Sequence, residues 1–209
     1  MLTDYVVIDL EMTGLNAKTD RILEAGAARV RGNVVTATFS EIINPKRELS
    51  EKVISLTGIT NEMAVQGKEM DATLMAFLDF IGEDILVGQN VIFDYSFLKQ
   101  WAVNHKRTFE RNAVDTLKLA RKFLPQEQKK DLASLCSYFG IERVHAHRAL
   151  DDVMETQQIF EQLQKMYEAG APEAFRPYPL QYKVKKQSPA TPQPVSYTHL
   201  RAHETSLHL

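Results

Sequence analysis

The sequence is poor in cysteine and in long apolar runs. Cys136 is the only cysteine in 209 residues, which excludes an internal disulfide and a zinc site built from several cysteines. No apolar run reaches the roughly 18 residues that a membrane helix needs. The N-terminal stretch MLTDYVVIDLEMTG has no basic region and carries acids inside its apolar part, unlike a signal peptide. These absences predict a cytoplasmic, bacterial-type protein that has no membrane partner.

The composition is that of a globular protein followed by a tail. The sequence has 44% hydrophobic and 25% charged residues. This composition excludes a disordered chain, a collagen and a coiled-coil rod. All nine glycines lie at or before Gly170, whereas six of the eight prolines lie in residues 171–194. This shift predicts one domain over residues 1–170 and a proline-rich, basic linker over residues 171–194. The linker carries a net charge of +3 and the domain one of −5, so overall charge does not indicate nucleic-acid binding.

The last fifteen residues look unlike a protein segment. VSYTHLRAHET resembles the translated frame of a widely used transposase sequencing adaptor. We therefore expect residues 195–209 to be a disordered artefact, with the natural C-terminus missing. The competing interpretation is a histidine-rich metal-binding tail, which rests on composition alone: His199, His203 and His208 belong to this segment.

Hydrophobic spacing predicts strands first and then mostly helices. The apolar run at residues 5–10 suits a buried strand, and residues 22–30 and 33–43 follow it around a turn at Gly32, which indicates an antiparallel meander. A short strand is predicted at residues 85–87. Helices are predicted at residues 71–81, 93–105, 114–124, 130–139 and 148–169. This order favours a mixed α/β sheet with helices packed on it.

Two acids stand at the end of the first predicted strand. Residues Asp9 and Glu11 are two apart, so their carboxylates project from the same face of the strand. Like charges side by side at a buried strand end repel each other and lose hydration, which a bound cation would relieve. The alternative is a solvated strand end before a turn at Thr13 and Gly14.

Two further acids and a histidine occur in the helical part. Asp94 shares a helical face with Leu98 and Trp101, which predicts an inward side chain, although the helix dipole also favours an acid in a first turn. The same dipole explanation applies to Asp152. His147 would lie about 140° from Asp152 in one continuous helix, so the two can act together only if His147 comes from the preceding loop. Taken alone, His147 is better explained as a surface histidine.

Taken together, these groups indicate phosphodiester chemistry. Carboxylates are hard ligands suited to Mg²⁺ or Mn²⁺. Two such ions roughly 4 Å apart hold the attacking and the leaving oxygen of a phosphodiester. A histidine with a pKa near about 6.5 can take the proton of an attacking water.

The motifs around these residues resemble the DEDDh family of 3′–5′ exonucleases, and within it the epsilon-type proofreading members. VVIDLEMTGL contains the family's D-x-E as Asp9 and Glu11. LVGQNVIFDYSFL matches N-x-x-F-D-x-x-F-L around Asp94, and HRALDD matches H-x-A-x-x-D from His147 to Asp152. NPKRELSEKVISLTGITNEM looks like the family's N-P…L-T-G-I segment. The likeness covers about residues 4–165.

The resemblance implies an RNase H-like fold, with a five-stranded mixed sheet flanked by helices. It also implies a 3′–5′ exonuclease that uses two divalent cations, Mg²⁺ or Mn²⁺, to release nucleoside 5′-monophosphates from DNA during replication proofreading or repair. Asp9, Glu11 and Asp152 would ligate one ion, and Asp9 would also contact the second, with Asp94 helping through water. His147 would be the general base. The residues implied to contact the substrate are Thr13, Gly14, Leu15, Thr57, Gly58, Asn90 and Phe97.

The sequence leaves the substrate open between DNA and RNA. Many proofreading members have threonine where this chain has Met12, and the strings DLEMTGL and HRALDD are typical of oligoribonuclease. The second motif and the L-T-G-I segment favour the proofreading type. Expected partners are single-stranded or frayed 3′ ends of DNA, with RNA as the alternative, and a DNA polymerase or another replication protein. A non-catalytic nucleic-acid-binding module is the third hypothesis, and the intact acid set disfavours it because unneutralised carboxylates repel each other.

Overall fold

The computed structural model describes residues 1–143 and 148–184. In this part of the chain, six strands form one mixed sheet in the order β3-β2-β1-β4-β5-β6. Their bounds are β1 Tyr5–Met12, β2 Ile22–Arg31, β3 Val34–Ile42, β4 Leu86–Gly88, β5 Asn112–Asp115 and β6 Tyr178–Pro179. The prediction of a mixed α/β fold is confirmed, with one strand more than expected.

The first three strands form the predicted antiparallel meander. Gly32 and Asn33 make the turn between β2 and β3 with φ angles of 57° and 63°, as the tight turns that match strand twist require. On its other side β1 pairs in parallel with β4, and β4 pairs in parallel with β5. The sheet therefore changes from antiparallel to parallel pairing at β1.

The helices occupy both faces of the sheet. In the described residues they are α1 Glu51–Thr57, α2 Asn61–Gln66, α3 Met70–Ile81, α4 Ile92–Asn104, α5 Thr116–Phe123, α6 Leu132–Phe139 and α7 Ala149–Tyr167. Short 3₁₀ turns follow at Glu168–Gly170 and Pro172–Phe175. None of the described helices combines the length and the apolar character that a membrane crossing requires.

β1 is buried on both of its faces, as its continuous apolar run predicts. Val6 and Ile8 belong to the core cluster that includes residues of α3 and α4. Tyr5 and Val7 point the other way and share a cluster with Phe160 of α7. The Tyr5 and Phe160 rings meet edge to face, with centroids 5.1 Å apart. This central strand therefore holds α4 and α7 on opposite sides of one rigid element.

The fifth strand, Asn112–Asp115, differs from the sequence prediction, which begins a helix at residue 114. Ala113 and Val114 instead pair in parallel with β4 and are buried. The carboxylate of Asp115 accepts hydrogen bonds from the backbone N–H groups of Leu117 and Lys118, so it caps a helix that begins at Thr116. The helix prediction is corrected here, since pairing with β4 outweighs the local helical spacing.

The predicted linker also needs correction in its first part. Phe175 and Leu180 are each only 3% exposed. Phe175 stacks on Phe123 at 5.7 Å, and Tyr178 pairs with Ala113 in the sheet. Residues 172–180 therefore pack on the domain and supply the sixth strand. The rest of the linker from residue 185, and the segment 195–209 with its predicted disorder, lie outside the described residues.

Candidate functional site

The site is built on the second half of β1. Asp9 and Glu11 are half-buried and lie on the strand face that packs toward α7. The parallel pairing with β4 involves Val6 and Val7, and beyond it Asp9 and Glu11 are paired only with β2. The two carboxylates therefore stand where β1 extends beyond its pairing with β4.

The first turn of α7 brings a third carboxylate to this place. Asp152 is 6% exposed, and one oxygen from each of Asp9, Glu11 and Asp152 lies within 4.8 Å of the other two. Acids at a helix N-terminus are favoured by the helix dipole, which partly offsets the cost of burying Asp152. The structure thus brings together three residues that lie up to 143 positions apart in the sequence.

Asp94 approaches the same strand from α4. It is 4% exposed, as its predicted inward orientation requires, and its Oδ1 accepts a hydrogen bond of 3.1 Å from the backbone N–H of Leu10. Leu10 lies between Asp9 and Glu11, so Asp94 stands directly beside the cluster without belonging to the three carboxylates that converge. Its predicted action through water remains a prediction.

The pKa values of Asp9, Glu11 and Asp94 are all raised, first by burial and then by neighbouring acids. Burial, followed by the charges of Asp94, Glu11 and Asp152, raises the pKa of Asp9 well above its ordinary value. Burial raises the pKa of Glu11 to about 8, with help from Asp152 and Glu24. Burial also raises the pKa of Asp94, although the N–H of Leu10 opposes this change. Negative charge here is unfavourable unless a cation neutralises it.

The donor set fits a hard divalent cation. Three carboxylates can offer oxygen atoms to one small volume, and Mg²⁺ and Mn²⁺ prefer oxygen ligands. No cysteine or described histidine belongs to this cluster of three acids, which distinguishes it from a zinc-type set. Asp9, Glu11 and Asp152 are therefore close enough to share one cation, and their role as ligands remains a prediction.

The raised pKa of Glu11 predicts how stability depends on pH in the absence of metal. The folded state holds the Glu11 proton up to about pH 8, whereas the ordinary value is 4.5. Protonated Glu11 therefore favours the folded state. This contribution to the free energy of unfolding is complete below pH 4.5 and is lost as the pH rises through about 8. In EDTA, we expect the free energy of unfolding to fall between about pH 5 and pH 8.5 and Mg²⁺ to reduce this fall.

Urea unfolding followed by circular dichroism at several pH values, with EDTA or with Mg²⁺, measures this effect. The matched control is Glu11→Gln, which cannot ionise at position 11 and should show a shallower dependence. A metal-free wild type with the same pH dependence as Glu11→Gln would contradict the electrostatic description of the site.

Sequence reasoning missed three residues next to the carboxylates. Arg143 Nη2 lies 2.9 Å from Asp152 Oδ1, and its Nε lies 2.8 Å from the buried Glu155. Arg148 forms an ion pair with Glu24 of β2. Glu24 is only 1% exposed. The available signal was the acid Glu24 inside a mostly apolar predicted strand, ILEAGAARV, which is unusual without a partner.

The residues implied to contact substrate fall into two groups, of which the first directly follows β1. Thr13 is held by two contacts with Arg21: its amide donates to the Arg21 carbonyl and its hydroxyl accepts from the Arg21 amide, both at 2.9 Å. A Cβ on Gly14 would lie 2.4 Å from an Asp20 oxygen, so a larger residue here would displace the Asp20 carboxylate. Leu15 is 84% exposed. This segment is therefore fixed at its start and offers an apolar side chain to solvent.

The second group is spread over two other segments. Thr57 is buried, and its hydroxyl donates to the Val53 carbonyl within α1. Gly58 ends α1 with a φ of 68°, and Asn90 is exposed with a φ of 61° before α4. Phe97 is 3% exposed and packs in the core. Contacts of all these residues with substrate remain predictions.

His147 lies outside the described residues. Its neighbours Arg143 and Arg148, on either side of residues 144–147, are both held by carboxylates close to the site. The predicted role of His147 as general base remains a prediction.

The mixed sheet and the carboxylates that converge at β1 define an RNase H-like nuclease. The model of an exonuclease family, RNase T, matches residues 6–160. The DNA polymerase III subunit epsilon of Aquifex aeolicus is 37% identical over 157 residues, which are 75% of this chain and 78% of that protein. The chain belongs to the RNase T exonuclease family, and its resemblance to DEDDh exonucleases is confirmed.

Further relatives are much longer, and solved structures share the fold. The PolC-type DNA polymerase III of Bacillus subtilis is 38% identical over 157 residues, which are 73% of this chain but 11% of that protein. Exonuclease X in complex with 5′-overhanging duplex DNA superposes with a TM-score of 0.64 at 21% identity, covering 81% of this chain and 96% of that one. The nuclease domain of 3′hExo, a DEDDh family member bound to rAMP, gives 0.67 at 20% identity, covering 84% and 96%.

Proposed function

We propose that this protein is a metal-dependent 3′–5′ exonuclease that removes nucleoside 5′-monophosphates from the 3′ ends of single-stranded or frayed DNA. The observation that carries the proposal is the convergence of Asp9, Glu11 and Asp152 within 4.8 Å, with Asp94 hydrogen-bonded to the strand between the first two. Such an arrangement of buried like charges is costly unless it serves to bind cations.

Each residue of the site has its own role in the proposed reaction. Asp9, Glu11 and Asp152 would hold two divalent cations, Mg²⁺ or Mn²⁺, with Asp94 acting through water. When bound, these cations supply the positive charge that binds the scissile phosphate and offsets charge on the attacking and leaving oxygens. His147 would take the proton from the attacking water. Thr13, Gly14 and Leu15 would line the terminal nucleotide where the chain leaves β1.

The choice of DNA and of replication as context follows the relatives. The two curated relatives described above, which are 37% and 38% identical, are both named as DNA polymerase III components. In the PolC-type relative, the matching stretch is a small part of a longer chain. A polymerase, or another replication protein, is therefore the partner class we propose. RNA remains the alternative substrate, because Met12 and the HRALDD string resemble oligoribonuclease.

The test compares 5′-labelled single-stranded DNA, RNA of the same sequence and a duplex with a mismatched 3′ end, each with Mg²⁺ or with EDTA. We expect a ladder of shortening DNA products with Mg²⁺, nucleoside 5′-monophosphate as the released product, and no products with EDTA. Asp9→Asn, prepared identically, controls for contaminating nucleases.

Each alternative has its own outcome. Faster shortening of RNA than of DNA would support the oligoribonuclease-like alternative. Binding of labelled DNA without any shortening, under all metal conditions, would support a non-catalytic module and contradict the proposal.

A further inference from the structure

Helix α7 begins without a capping side chain of its own. The residue at its N-cap, Arg148, has extended backbone angles, and its side chain makes no capping hydrogen bond. The first N–H groups of a helix need partners from outside it. Here Oε2 of Glu24, from β2, accepts the backbone N–H of Ala149 at 3.1 Å. A carboxylate in this position also interacts favourably with the helix dipole, so β2 supplies the cap for α7.

Arg148 also links β2 to α7, through both its side chain and its backbone. Its Nη2 donates to Glu24 Oε1 at 2.9 Å, and its Nε lies 3.2 Å from both Glu24 oxygens. Contacts of a guanidinium with both carboxylate oxygens fix orientation as well as distance. The carbonyl of Arg148 accepts the backbone N–H of Asp152 at 3.0 Å. One residue thus joins a buried acid of β2 to the first helical turn that carries Asp152.

The residues of β2 involved are the direct cross-strand partners of the β1 carboxylates. Glu24 lies opposite Glu11, and Gly26 lies opposite Asp9. A Cβ on Gly26 would lie 2.5 Å from the carbonyl carbon of Ala149, so the start of α7 rests directly on β2. The start of α7 therefore contacts the two β2 residues, Glu24 and Gly26, that lie opposite Glu11 and Asp9 in the sheet.

We propose that Glu24 and Arg148 form a positioning pair that places Asp152 against Asp9 and Glu11 in the geometry that binds a divalent cation. They are positioning residues, because they act through Asp152 and the start of α7. The inference rests on the proposed function to the extent that a divalent cation is the ligand of the three carboxylates.

Positioning and simple electrostatics predict opposite results for the replacement of Arg148. If Arg148 contributed only its charge, Arg148→Met would make the site more negative and would bind cations more tightly. If Arg148 positions Asp152, the same change releases the contact with Glu24 and weakens cation binding. Loss of groups that orient metal ligands typically costs about 10–100-fold in metal affinity. We expect a loss of that size for Arg148→Met.

The experiment titrates Mn²⁺ into the 209-residue chain without nucleic acid and follows free Mn²⁺ by electron paramagnetic resonance. Arg148→Lys keeps the charge but cannot contact both oxygens in the planar geometry of a guanidinium, so it should bind Mn²⁺ less tightly than wild type and more tightly than Arg148→Met. Arg121→Met, a change at an exposed arginine of α5, is the matched control and should bind like wild type.

The possible results separate this inference from the proposed function. A wild type that does not bind Mn²⁺ would refute the metal dependence in the proposed function itself. A wild type that binds Mn²⁺, together with an Arg148→Met variant that binds equally or more tightly, would overturn the positioning pair alone. Circular dichroism in EDTA establishes that each variant is folded. If Arg148→Met is not folded, Arg148→Lys decides the question, and wild-type affinity in that variant overturns the pair.

Discussion

Replacing Asp9 by asparagine is expected to lower turnover by several orders of magnitude while raising the melting temperature of the metal-free protein. Turnover falls because Asp9 is the proposed ligand of both cations, and the metal-assisted reaction needs both the attacking and the leaving oxygen to be stabilised. Stability rises because burial, followed by the charges of Asp94, Glu11 and Asp152, disfavours the ionised Asp9 carboxylate and raises its pKa. Functional sites commonly carry such a cost in stability.

Single-turnover assays on labelled DNA and thermal unfolding in EDTA measure the two effects. The matched variant is Asp94→Asn, in which the amide oxygen can still accept the N–H of Leu10. We expect Asp94→Asn to lose activity to a smaller extent, since Asp94 stands beside the converging carboxylates. Equal residual rates for the two variants would contradict the assigned roles, and an unchanged melting temperature of metal-free Asp9→Asn would contradict the repulsion argument.

Replacing His147 by alanine is expected to lower turnover by about 10²–10⁴-fold, the usual contribution of a positioned acid–base group. Binding of Mn²⁺ should stay the same, because Asp9, Glu11 and Asp152 are untouched. In the wild type, the rate should rise from about pH 6 to about pH 8 as the imidazole loses its proton near its reference pKa of about 6.5. His147→Ala should lose the histidine's part of this dependence.

The neighbouring His145 offers a control in the same short segment. His145→Ala is expected to change turnover less than a few-fold at any pH, which separates a specific proton acceptor from a general effect of altering residues 144–147. Near-normal turnover of His147→Ala would remove His147 from the mechanism. Loss of Mn²⁺ binding in His147→Ala would show instead that the change disturbs the ligand set.

The site was more predictable than the elements that surround it. Asp9 and Glu11 share a face because strand geometry alternates side chains, and this needs no tertiary information. The inward orientation of Asp94 followed from its helical spacing with Leu98 and Trp101, and all three are buried. Such local rules hold because a regular helix or strand fixes the direction of each side chain.

Elements that depend on distant partners were not predictable in this way. Ala113 and Val114 form a strand because β4 offers them a parallel partner and the core buries them. Phe175 and Leu180 are the anchors of a proline-rich segment whose composition indicates a linker. A segment with two apolar anchors packs only when the folded domain presents a surface for them, and local composition carries no information about that surface.

The sequence by itself determined the alternation of the first strands, the main helices and the identity of the acids that can bind a cation. Only the tertiary structure decided that Asp9, Glu11 and Asp152 lie within 4.8 Å of one another. It also showed that Glu24 on β2 caps the helix that carries Asp152. The physical reason is that periodicity fixes directions within an element, whereas the distance between elements depends on packing between residues far apart in the chain, such as Gly26 against Ala149.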